Sequence, residues 1–163
     1  MKHVAIVLLS VTILLLTACG TSAANDPNSA QMANPWTDCE TLSEAEELAG
    51  FTLTAPEHID GYDAPIYRFM HEKMLEIIYY NGDDEIRIRK APARSSVGND
   101  ISGDYTEYRE HAAITTADSD VILDGNDGTI SRALWTANDF SYSITASPAI
   151  SLEAMQHIVE SVK

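Results

Sequence analysis

The chain has 163 residues, with 25 acidic side chains against 10 basic ones and a formal net charge of −15. So acidic a chain is repelled by nucleic acid and by anionic lipid head groups, which excludes nucleic-acid binding and leaves any membrane attachment to something other than charge. Its two cysteines, Cys19 and Cys39, do not make a disulfide-stapled scaffold, because the pattern around Cys19 commits that thiol elsewhere.

Lys2 and His3 precede a mostly apolar stretch from Val4 to Leu16, and Leu16-Thr17-Ala18-Cys19 closes it before the chain turns polar. A run of roughly 7–15 apolar residues suits the core of a secretory signal, whereas a spanning helix needs about 20. Small residues before a cysteine, with leucine three places upstream, form the lipobox, in which the thiol is alkylated with diacylglycerol before cleavage. Residues 1–18 are therefore expected to be a lipoprotein signal peptide and Cys19 the lipid attachment site. Two or three acyl chains satisfy the need for more than one, each buried methylene contributing about 0.8 kcal/mol. The expected location is the extracellular face of the cell membrane, lipid-anchored. Loss of Lys2 with the leader takes the net charge from −15 to −16. Residues 19–33, small and polar without apolar periodicity, read as a flexible tether, and residues 34–163 suit a single domain of the usual size, about 100–150 residues.

Within that domain Thr41-Leu42-Ser43-Glu44 fits a capping box, Leu42, Ala45, Leu48 and Ala49 follow helical spacing, and Gly50 supplies the stop. Phe51 and Leu53 alternate with threonines and predict a short strand before Pro56. Ile66 to Met70, Met74 to Tyr80 and Glu85 to Lys90 read as a meander broken by His71-Glu72-Lys73 and by an Asn81-Gly82 turn. Leu75 to Tyr80 is apolar on both parities, as a central strand with a partly covered second face should be. Further strands are predicted over Tyr105 to Thr116, Val121 to Leu123, Thr129 to Ala137 and Phe140 to Ala146. Ser151 caps a closing helix with Leu152, Met155, Ile158, Val159 and Val162 on one stripe.

The expected fold class is α+β: a single curved antiparallel sheet of about seven strands, with one N-terminal and one C-terminal helix packed on one face. The other face, carrying Arg87, Arg89, Ser141, Ser143 and Thr145, would be left to water or a partner.

The order Asn34-Pro35-Trp36, Ser43-Glu44-Ala45-Glu46, Ala49-Gly50-Phe51, Pro56, Ile77 with Tyr79, and Ile86-Arg87-Ile88-Arg89-Lys90 carries a resemblance. Asp100-Ile101-Ser102-Gly103-Asp104-Tyr105, Tyr108, Gly125 with Gly128, Ala133 with Trp135 and Tyr142-Ser143-Ile144 complete it. The pattern is similar to an uncharacterised family of extracellular lipoproteins of Gram-positive bacteria, whose shared domain of unknown function also occurs in anti-sigma-factor-like proteins. The resemblance implies a Gram-positive surface location and a sensing or ligand-binding role, and it carries no catalytic residues across.

His71-Glu72 lacks the second histidine of a zincin helix, since Leu75 stands there. His58, His111 and His157 lie far apart in sequence, and Asp118, Asp120, Asp124, Asn126 and Asp127 read as hairpin-turn chemistry rather than a calcium loop. No metal and no cofactor is expected, and with no nucleophile, base and orienting group in evidence the chain is expected not to be an enzyme. Cys39 has nothing basic beside it and reads as a buried, inert thiol.

The expected role is a non-enzymatic binding or sensing module for a protein, peptide or envelope component, with Arg87, Arg89, Tyr79 and Trp135 as ligand-binding candidates. The alternative is a carrier or sensor of a lipid-like hydrophobic ligand held between sheet and helix. An apolar cavity there would favour the carrier, and solid packing the recognition module.

Overall fold

A computed structural model describes residues 34–71, 73–93 and 100–163, so the leader, Cys19 and the tether lie outside the described residues. The domain is a single antiparallel sheet of eight strands with two helices, an α+β arrangement richer in sheet than in helix. In chain order the elements are β1 (Thr37–Cys39), α1 (Leu42–Ala49), β2 (Ile66–Met70), β3 (Met74–Asn81), β4 (Asp84–Pro92), β5 (Glu110–Thr115), β6 (Asp120–Asn126), β7 (Thr129–Ala137), β8 (Phe140–Ile150) and α2 (Leu152–Ser161). The sheet is open and its spatial order is β1-β2-β3-β4-β8-β7-β6-β5.

Both helices start where their caps dictate. The Thr41 hydroxyl accepts from the Glu44 N–H at 3.2 Å, and the Ser151 hydroxyl accepts from the Ala154 N–H at 3.1 Å. The Glu44 carboxylate reaches back to the Glu40 N–H, one residue before the cap. Turn chemistry sets the hairpins in the same way. Asp127-Gly128 and Asn138-Asp139 each place both central residues at positive φ, as a two-residue turn matched to strand twist requires. The turn after β3 centres on Gly82-Asp83, because Asn81 still pairs with Asp84, one residue beyond the expected Asn81-Gly82.

Three strand expectations need correction. The sheet has eight strands rather than about seven, because β1 is added at one edge, and three residues including Asp38 carry no alternation by which to see it. Phe51 and Leu53 form no ladder with another strand, although Thr54 exchanges both backbone bonds with Lys163, at 2.9 and 3.0 Å. The predicted strand from Tyr105 starts only at Glu110, and Tyr105 is 95% exposed.

One face of the sheet is dry. Leu75, Ile77 and Tyr79 of β3, Ile86 and Ile88 of β4, Ile144 of β8, Ala133 of β7 and Leu123 of β6 form one buried cluster with Ala45 and Ala49 of α1 and Met155, Ile158 and Val159 of α2. The segment between α1 and β2 fills the remaining space with Leu53, Ala55, Ile59 and Tyr62. Burying a side chain of this size contributes about 1.5–3 kcal/mol, so this cluster is the main source of stability.

Candidate functional site

The opposite face carries the charged residues, and period-two alternation aligns them in rows across the strands. Pairing puts Asp38, Arg68, Glu76, Arg89, Ser143, Leu134, Ile122 and Ala113 in one row from β1 to β5. The neighbouring row holds Ile78, Arg87, Thr145, Arg132, Asp124 and His111.

This face is not left to water. Arg89 is 8% exposed, Ser143 1% and Ser141 0%, because the irregular segment 100–109 passes over it as an arch. Arg89 holds the arch by donating from Nη1 to the Ile101 carbonyl at 3.0 Å and the Ser102 carbonyl at 2.5 Å. Gly103 allows that approach, since a Cβ there would stand 2.7 Å from Arg89 Nη1. Trp36 covers the flank, with Arg68 and Arg89 guanidinium carbons 5.4 and 5.3 Å from its ring centre. Met74, Ala91 and Ile101 make a small apolar plug beside it.

Two charge networks lie under and around the arch. In the first, the Glu76 carboxylate, fully buried, accepts from Arg68 Nε at 2.7 Å and from Arg89 Nε at 2.6 Å. Arg87 Nε stands 3.4 Å from the same carboxylate without hydrogen-bond geometry, and Arg87 Nη2 pairs with Glu85 at 2.8 Å. A desolvated carboxylate costs several kcal/mol unless its oxygens are satisfied, and Arg68 and Arg89 satisfy both.

In the second network Arg132 donates from Nε and Nη2 to one oxygen of Asp124 at 2.9 and 2.7 Å, and from Nη1 to the Asp104 carbonyl at 2.7 Å. The other Asp124 oxygen meets His111 Nδ1 at 2.7 Å. Burial alone would lower the Arg132 pKa, and Asp124, Asp100 and Asp104 together raise it instead. Burial would likewise raise Asp104, yet bonds from Thr106 and Tyr108 and the charge of Arg132 hold its carboxyl below the usual range.

Between the arch and the sheet lies a cleft of about 440 Å³. Arg87, Asp104, Tyr108, Ser131, Thr145 and Ser147 are among its walls, so hydroxyls predominate. A second cleft of about 340 Å³ opens at the margin of α2, with Ile86, Ile150 and Ile158 against Pro56 and Ile59, and with His58 and His157 beside them.

The four ligand-binding candidates do not share a surface. Arg87 and Arg89 lie on the arch side, and Arg87 alone of the two borders the hydroxyl-lined cleft. Tyr79 and Trp135 point to the dry face. Tyr79 is fully buried and donates to the Pro56 carbonyl, and burial pushes its pKa up. Trp135 is 8% exposed and stacks on Tyr142 at 5.0 Å. Alternation along β3 separates Tyr79 from Glu76 and its arginines, a consequence that strand phase alone supplies. The residues that sequence reasoning missed are Glu76 and Arg132, and Asp124, expected to serve turn chemistry, lies instead within β6 and pairs with Arg132. A lone Glu inside the apolar run Leu75 to Tyr80 was the available signal for the first of them. Cys39 is half-buried rather than buried, and its thiol pKa is raised by burial and then by Glu44 and Asp38.

Among the described residues no group of three or more His, Cys, Asp or Glu side chains is placed to hold a metal ion, and no helix is long and apolar enough to cross a membrane. Fold and cleft define a class: an α+β domain on one antiparallel sheet, with a polar cleft on the face opposite its helices. No family model, curated protein or solved structure matches the chain.

Proposed function

We propose that this chain is a lipoprotein of the Gram-positive type its residue pattern resembles, moored through lipid on Cys19 and exposing a non-enzymatic recognition domain on the outer face of the cell membrane. The domain takes a polar envelope component in the cleft between arch and sheet. The observation that carries this reading is the cleft itself, whose volume of about 440 Å³ falls in the range of small-molecule sites and whose walls offer hydroxyls with the side chains of Arg87, Asp104 and Asn126. Such walls match a ligand rich in hydroxyl and amide groups, and the buried ion pairs behind them hold the wall in place before the ligand arrives.

A second reading keeps the lipid-like ligand. It is supported by the apolar cleft beside α2, where Ile86, Ile150 and Ile158 supply a dry floor. Against it, the core between the sheet and α2 is filled by Met155, Ile158 and Val159, so the cleft lies at the margin rather than inside.

The test uses the full chain in detergent micelles, sedimented with purified cell-wall sacculi. Binding that falls about ten-fold on Ala149→Trp, which fills the polar cleft, supports the first reading. No binding to sacculi, together with a hydrophobic molecule found by native mass spectrometry and lost on Ala154→Trp, replaces it with the second. Labelled palmitate should follow the wild-type chain in cells and not the Cys19→Ser variant.

A further inference from the structure

The two edges of the sheet are unequal. β1 is three residues long, and α1 follows it after two residues and packs against β1 and β2. At the other edge β5 runs for six residues, pairs regularly with β6 from Glu110↔Gly125 to Thr115↔Asp120, and has no partner on its outer side among the described residues. Alternate residues of such an edge turn N–H and C=O groups outward. Charged side chains, proline, a bulge or shortness usually blunt an edge, and of these Glu110-His111-Ala112-Ala113-Ile114-Thr115 has only Glu110, at its first position.

Beside this edge lies an apolar shelf on the arch-side face. Ala113 pairs with Ile122, and Ile122 with Leu134. Ile122 is 53% exposed, and a depression of about 210 Å³ lies beside Ile122 and Leu134, with Asp100 and Asp120 also among its walls. Ala113 is small, so a bulky side chain on an added strand could lean across it onto Ile122. On the other face Ala112 adjoins the buried Leu123, and Ile114 the buried Val121. Charge at the two ends of β5 is net negative. Glu107, Glu110 and Asp127 are exposed at one end, with Arg109 paired to Asp127 at 3.6 Å, and Asp118 and Asp120 are exposed at the other.

We infer that β5 is a docking edge for an extended segment of another protein, about six residues long, with apolar side chains at alternate positions and basic residues at both ends. The segment adds as a ninth strand: backbone bonds give affinity, the Ile122 shelf selects the apolar side chain, and the acidic ends select the flanks. A second copy of this chain fits poorly, because antiparallel pairing swaps the ends and sets acid against acid. Residues 20–33 fit no better, having Asp26 and no basic residue.

The probe is a ten-residue peptide with an alternating threonine–isoleucine core and two lysines at each end, titrated by fluorescence anisotropy into the full chain in micelles. Amide hydrogen exchange at residues 110–115 should slow on binding. Affinity should fall about ten-fold with Ala113→Lys, with Ile122→Thr, with proline at alternate core positions, or with glutamate in place of the lysines. Exchange in β3 and β4 reports that both variants remain folded. The proposal is overturned by protection elsewhere or nowhere, by equal affinity for the glutamate-ended peptide, or by concentration-dependent protection of β5 without peptide, which would make the occupant a second copy.

Discussion

The face under α1 and α2 is closed by apolar side chains of the sheet, both helices and the segment between α1 and β2, whereas the face under the arch is closed by Arg68, Arg89 and Arg132 against Glu76, Asp124 and the carbonyls of Ile101, Ser102 and Asp104. Apolar closure is non-directional and tolerates small changes of shape, while ionic closure requires each partner in place. The dry face therefore stabilises through many small, interchangeable contacts, and the ionic face holds the arch through a few specific ones.

The sharpest way to break this contrast is Glu76→Gln, which keeps the volume and strands three arginines around a neutral amide. Removing one partner of a buried ion cluster costs about 3–5 kcal/mol, so chemical denaturation should show the largest loss here. Gly103→Ala comes next: the added methyl meets Arg89 at a φ of +69°, and a left-handed non-glycine residue costs about 1–2 kcal/mol. Its effect should be local, with faster amide exchange in residues 100–108 and little change in β3. On the dry face Ile144→Val, which trims one methylene from a fully buried side chain, should cost about 0.5–1.5 kcal/mol, spread over the whole domain. A loss from Ile144→Val as large as that from Glu76→Gln would erase the distinction between the faces.

The smallest expected effect is acid loosening of the arch. The folded Asp104 carboxyl titrates below its ordinary value, so the unfolded chain binds its proton first as pH falls. The stability this group adds is complete above the ordinary aspartate range and is lost as pH falls through the lowered value. Exchange in residues 100–108 should rise in that window, and Asp104→Asn should abolish the pH dependence.

Much of the architecture was legible in sequence. β2 and β7 fall on the residues that alternation marked, and both helices begin at Thr41 and Ser151, because strand period, turn chemistry and caps are local properties. Less of the site was legible. Arg87 and Arg89 do lie on the charged face, but Tyr79 and Trp135 belong to the other, and Glu76, which Arg89 and Arg68 both bond, is one acidic residue inside a run that reads as apolar.

By itself, then, the sequence determined the helix starts, the Asn138-Asp139 turn, most strands and the acidity. Only the tertiary structure decided that β1 joins β2, that residues 100–109 cross over the charged face, and that Arg132 meets Asp104 and Asp124. Local order is written in spacings of two to four residues. These contacts join residues from 8 to 32 positions apart, and ion pairs at such range acquire their partners only once the sheet has brought the strands together.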